Sequence, residues 1–94
     1  MKKLIIYKYA LKPGRTDLQL PLRSKILTVQ AQNNEPVLWA LLDPDEPLIG
    51  RTFQVVPTGH PLQLKEQDAL LYVGTFQLHG GGLVFHVFTN EAPP

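Results

Sequence analysis

The chain breaks into short stretches in which apolar and polar positions follow the two-residue repeat of a strand. Leu4 to Leu11 (LIIYKYAL) is rich in β-branched and aromatic residues, with Ile5, Tyr7, Tyr9 and Leu11 on one face and Leu4, Ile6, Lys8 and Ala10 on the other. Pro13-Gly14 ends it. Asp17-Leu18-Gln19-Leu20 alternates and stops at Pro21, and Lys25 to Gln32 sets Leu27, Val29 and Ala31 against Ile26, Thr28 and Gln30. Asn33-Asn34-Glu35 has hairpin-turn chemistry, because asparagine tolerates positive φ, so the next run, Val37 to Leu42, is expected to pair with Lys25 to Gln32.

That run, VLWALL, is apolar on both faces, as is Leu83 to Phe88 (LVFHVF) apart from His86. Such runs belong to strands covered on both sides, and in a chain this small the second cover is expected from another subunit. Val37, Trp39, Leu41, Val84, His86 and Phe88 are the candidate contact residues. Between these runs, Asp43 to Gly50 reads as an exposed loop with two prolines and three acids. Arg51 to Pro57 and Leu70 to Leu78 read as further strands. Thr58-Gly59-His60-Pro61 is a turn, His79-Gly80-Gly81-Gly82 a hairpin tip, and Pro61 to Ala69 the polar, weakest region. Nowhere do ten residues sustain helical apolar spacing. The expected fold is all-β: a single domain over residues 1–90 of about seven short, mainly antiparallel strands in a small barrel or sandwich, with 91–94 as a frayed tail.

Composition narrows the chemistry. The 94 residues are 44% hydrophobic and 18% charged, which suits a folded chain, and contain no cysteine, which removes disulfides, thiolate metal sites and a cysteine nucleophile. No apolar run approaches a membrane span, and Met1-Lys2-Lys3 is followed by only three apolar residues, short of a secretion signal. The expected setting is cytoplasmic. Net charge is +1 but unevenly placed: residues 1–30 carry seven basic side chains against one acid, residues 31–94 two against seven. This balance argues against DNA binding and leaves room for one small anion in the basic third.

Candidate catalytic features are few. His60, His79 and His86 lie too far apart in sequence for a local metal motif, so neither a metal nor another cofactor is expected. Asp43-Pro44-Asp45-Glu46 is turn chemistry before it is an acid–base pair, and Ser24, the sole serine, lacks a nucleophile motif. The glycines at 80–82 lack the lysine and helix of a phosphate loop. The segment from Arg51 to His60 carries more. Arg51 offers a planar fork of donors suited to carboxylate or phosphate, and Gln54, Thr58, Gly59 and His60 add polar groups within one strand and turn. Trp39, Tyr7 and Tyr9 could supply a stacking platform for a base, which would complete a nucleotide pocket. The plainer alternative pairs Arg51 with a loop acid such as Asp43 or Glu46.

Several stretches resemble a family of small uncharacterised proteins encoded by bacteriophages and prophages: Tyr7-Lys8-Tyr9, Lys25 to Gln30, Leu38-Trp39-Ala40-Leu41 with Asp43-Pro44, Arg51-Thr52-Phe53, Thr58-Gly59-His60-Pro61, Val73 to Gln77 and Leu83 to Phe88. The resemblance implies a small accessory gene product in the cytoplasm of a bacterial host, with no established activity or catalytic residues. The expected function is non-enzymatic binding, in counter-defence, by sequestering a nucleotide signal or blocking a host protein. Homo-oligomerisation goes with it. A structural component of the phage particle is the alternative, and a small-barrel binder of single-stranded nucleic acid a weaker one.

Overall fold

The computed structural model describes residues 3–62 and 70–90. The expectations for the polar stretch at 63–69 and for the tail at 91–94 lie outside the described residues. Seven strands follow in chain order: β1 (Ile5–Ala10), β2 (Gly14–Pro21), β3 (Lys25–Gln32), β4 (Glu35–Leu42), β5 (Leu48–Pro57), β6 (Leu70–Leu78) and β7 (Leu83–Asn90). They form two antiparallel sheets, β1-β4-β3 and β2-β5-β7-β6. The fold is all-β and sandwich-like rather than a closed barrel, and no α-helix occurs among the described residues. None of their helices is long and apolar enough to cross a membrane.

Local chemistry explains most element ends. Asn33 and Asn34 both have positive φ, 51° and 63°, the pair of left-handed residues that a two-residue hairpin with strand-matched twist demands. β5 starts three residues before the expected Arg51, because Leu48, Ile49 and Gly50 find ladder partners in Pro21, Leu20 and Gln19 of β2. The exposed loop is correspondingly shorter. For the same reason β2 reaches back to Gly14, where Arg15 and Thr16 oppose Gln54 and Phe53. The glycine-rich tip contains one turn of 3-10 helix at His79–Gly81, closed by a Gly82 N–H donating to the His79 carbonyl at 3.1 Å.

The two sheets share one core. Leu20, Leu38, Phe53, Val55 and Val87 are fully buried, and Phe76 stacks on Phe85 with ring centroids 5.5 Å apart. On β4 the alternation is clear: Leu38, Ala40 and Leu42 face the interior, while Trp39 and Leu41 lie half-buried on the opposite face. Two features tie β3 to β6, the strands where the sheets meet. At one end the Asn34 side chain accepts the His79 N–H at 2.7 Å and sits 2.7 Å from His79 Nδ1, joining the β3–β4 turn to the β6–β7 tip. Midway, Gly74 lies so close to Val29 that an added Cβ would stand 2.9 Å from a Val29 methyl.

That approach has a measurable cost when filled. Gly74→Ala is expected to destabilise by about 1–3 kcal/mol, since a stiff β-branched neighbour cannot swing aside. The double variant with Val29→Ala should lose less than the sum of the two single changes in denaturant unfolding, because the added Cβ at position 74 takes the space that the Val29 methyl vacates.

At the outer edge, β2 and β5 are bridged by Asp17, which accepts from the Thr52 hydroxyl at 2.8 Å and from Arg15 Nε at 3.1 Å. The Thr52 bond first, and Arg15 second, hold the Asp17 carboxyl below its ordinary value. Its contribution to stability is therefore present above the ordinary carboxylate range and is lost as pH falls through the depressed folded value. Thr52→Val should move the Asp17 midpoint upward in a carboxyl NMR titration; an unchanged midpoint would assign the depression to Arg15 alone.

Candidate functional site

Alternation on β5 sends Arg51, Phe53 and Val55 to the interior and Thr52, Gln54 and Val56 outward. Arg51 is thus an inward-facing cation, 5% exposed. Neither loop acid answers it: Glu46 is held by Arg23 at 3.2 Å, and Asp43 Oδ1 accepts the Asp45 N–H at 3.0 Å within its own turn. Among the described residues, Arg51 Nε has no hydrogen-bond partner. The guanidinium carbon stands 5.7 Å from the centre of the Phe53 ring, a cation–π contact that offsets part of the lost hydration. Burial pushes the Arg51 pKa below its ordinary value. An arginine remains charged under such a shift, so the fork is a desolvated cation whose Nε–H is free among the described residues.

Arg51 borders a cleft of 280 Å³ that opens between β3 and β6. The cause is local. β3 carries a bulge between Ile26 and Thr28, and β6 one between Tyr72 and Gly74. Both lie on the same side of the Val29–Gly74 contact, and bulges bend a strand and interrupt pairing. Beyond them Ser24 and Ile26 on one wall stand apart from Leu71 and Val73 on the other, with Thr89 of β7 beside Arg51. The hydroxyl hydrogens here are already committed: Ser24 donates to the Pro21 carbonyl at 2.5 Å and Thr89 to the Thr52 carbonyl at 2.8 Å. Tyr72 also borders the cleft, but it pairs with Phe88 on the outer face, ring centroids 5.6 Å apart, and its hydroxyl meets Thr75 there.

The other residues singled out in the sequence fall into separate places. Gln54 and His60 line a second hollow, of 380 Å³, on the outer face of β5. Gly59, with φ of 86°, permits the turn in which the His60 N–H donates to the Pro57 carbonyl. Thr58 sits 2.6 Å from His86 Nε2, and His86 Nδ1 lies 3.0 Å from the Thr75 hydroxyl, so both ring nitrogens are engaged along the outer face. Tyr7 and Tyr9 stand opposite Ala40 and Leu38, on the inward face of their sheet, whereas Trp39 stands opposite Lys8, whose ammonium lies 5.8 Å from its ring centre. Trp39 and the two tyrosines thus lie on opposite faces, and Arg51 points away from Gln54. Of the expected pocket, the structure brings Gln54 together with His60 and places Arg51 in a cleft of its own. Val37 is buried, and Trp39, Leu41, Val84, His86 and Phe88 are half-buried, all on faces opposite the core rows of β4 and β7.

Chemically, the cleft offers one desolvated cation, two hydroxyl oxygens with lone pairs to give, and aliphatic walls. This suits binding of an anion. Among the described residues no group of three histidine, aspartate or glutamate side chains converges as a metal site would require. Arg51→Met keeps the length and apolar stem while removing an unanswered charge. It is expected to raise the stability of the ligand-free protein on the order of 1–2 kcal/mol in denaturant unfolding. A loss of stability would mean that the cation is already answered in the free protein.

No curated protein and no solved structure matches the chain. A family model described as Domain of unknown function (DUF7352) matches residues 1–94, so the chain belongs to that family along its whole length.

Proposed function

We propose that this protein is a non-enzymatic binder that sequesters a small anionic ligand in the cleft between β3 and β6. The observation that carries the reading is Arg51, a cation buried in the interior with an unpartnered Nε at the floor of an open cleft. A protein that keeps such a charge forgoes stability, and a bound anion returns it. In the phage setting that the resemblance of Leu38-Trp39-Ala40-Leu41, Thr58-Gly59-His60-Pro61 and Leu83 to Phe88 implies, the ligand is a nucleotide signal of host defence. Arg51 then holds its phosphate, and the remainder extends through the mouth of the cleft. Withdrawing the signal needs no catalytic group.

Thermal unfolding tests this with cyclic di-GMP and ADP-ribose as probes. A probe at 100 times its dissociation constant stabilises by about 2.7 kcal/mol. For a domain of this size that raises Tm by roughly 10–20 °C. The shift should vanish in Arg51→Met. Absence of a shift with either probe counts against a nucleotide ligand, and a shift that survives in Arg51→Met counts against this cleft.

The half-buried outer rows Trp39–Leu41 and Val84–Phe88 favour a second proposal, association of this chain with another copy or with a host protein. Light scattering that returns a monomer at high concentration would remove the self-association.

A further inference from the structure

We infer that the Arg51 cleft selects a singly charged head group with two anionic oxygens whose other bonds lead to carbon, directly in a carboxylate or through ester oxygens in a phosphodiester, over the doubly charged phosphomonoester; this rests on the reading of the cleft as an anion site. Three observations carry it. First, among the described residues lining the cleft, Arg51 alone carries charge. One guanidinium edge presents two parallel donors, which match two oxygens and neutralise one charge. Second, the two hydroxyls beside it act as acceptors. Ser24 gives its hydrogen to the Pro21 carbonyl and Thr89 to the Thr52 carbonyl, so while these bonds hold each hydroxyl offers a further ligand oxygen lone pairs and no hydrogen. A third anionic oxygen would meet repulsion there, and a buried charge without a partner is costly. Third, the rest of the wall is aliphatic: Ile26, Leu71 and Val73 offer contact to carbon and no hydrogen bond from their side chains. An ester carbon or an alkyl chain fits against them where an ionised oxygen does not.

The selectivity runs against simple attraction, since a lone exposed cation holds a dianion more tightly than a monoanion. The same lone pairs favour a ligand with a hydroxyl or N–H next to its charged head.

The test follows the Arg51 Nε–H resonance by 15N NMR at pH 8 and fixed ionic strength, titrating isovalerate, dimethyl phosphate and methyl phosphate in turn. Arg51→Met, which lacks the resonance, assigns it. The expected result is a saturable shift with isovalerate or dimethyl phosphate at an affinity at least tenfold above that of methyl phosphate. Response to isovalerate alone identifies a carboxylate site, and response to dimethyl phosphate alone a phosphodiester site. Methyl phosphate binding as tightly as the other two, or more tightly, overturns the selectivity and leaves anion binding standing. No movement of the resonance with any of the three overturns both.

Discussion

A charge that the fold takes out of water, its Nε without a partner among the described residues, sets the terms for everything around Arg51. The stabilising part of the structure is conventional: two sheets bury Leu20, Leu38, Phe53, Val55 and Val87 against one another. On the row that supplies Phe53 and Val55, position 51 is an arginine, and strand periodicity leaves it no other direction to point. An apolar residue there would extend the core. The cation is instead tolerated by contact with the Phe53 ring and by an opening to solvent between two bulged strands.

That opening depends on how β3 and β6 come together. The glycine at 74 lets the backbone approach Val29 closely, and an irregularity in each strand's own ladder, at Ile26/Thr28 and at Tyr72/Gly74, lies within three residues of that approach. Close contact and separation are thus adjacent, and the floor of the separated part is Arg51. Ser24 arrives through the turn that crosses from one sheet to the other, in which Arg23 takes a positive φ of 65° and the Ser24 N–H donates to the Pro21 carbonyl. A strained turn and two irregular strands converge on the same few residues, a pattern common where side chains must be aimed rather than merely packed.

Much of this was legible in the chain. Strand type and the Asn33-Asn34 turn follow from alternation and turn chemistry, whereas β4 and β7, apolar on both faces, do not mark their inward rows by alternation. Strand ends at Leu48, Gly14 and Asn90 did not, because they are set by partners distant in sequence, and a ladder continues for as long as a neighbour supplies hydrogen bonds. At the site, Arg51 was visible as a lone cation heading the strand from Arg51 to Pro57, and its parity with Phe53 and Val55 already carried its direction. Its separation from Gln54 follows from the same parity, three residues being an odd number. The cleft's other wall was hidden. Ser24 and Ile26 belong to the far sheet, and Leu71 and Val73 look like ordinary strand residues until a bulge, which leaves no mark in composition, turns them. Thr89 had a faint signal, a hydroxyl on the inward phase of LVFHVF.

The joint between Asn34 and His79 has a mechanical meaning. It fastens β3 to β6 at the end where both strands finish, while the cleft lies where both begin, with the Val29–Gly74 contact between them. Fixed at one extremity and in contact at the middle, the pair ends in the residues from 24 to 26 and from 71 to 73, which form the two sides of the cleft. The width of the mouth is thereby tied to two contacts that lie outside it, the close approach at Gly74 and the bond at His79.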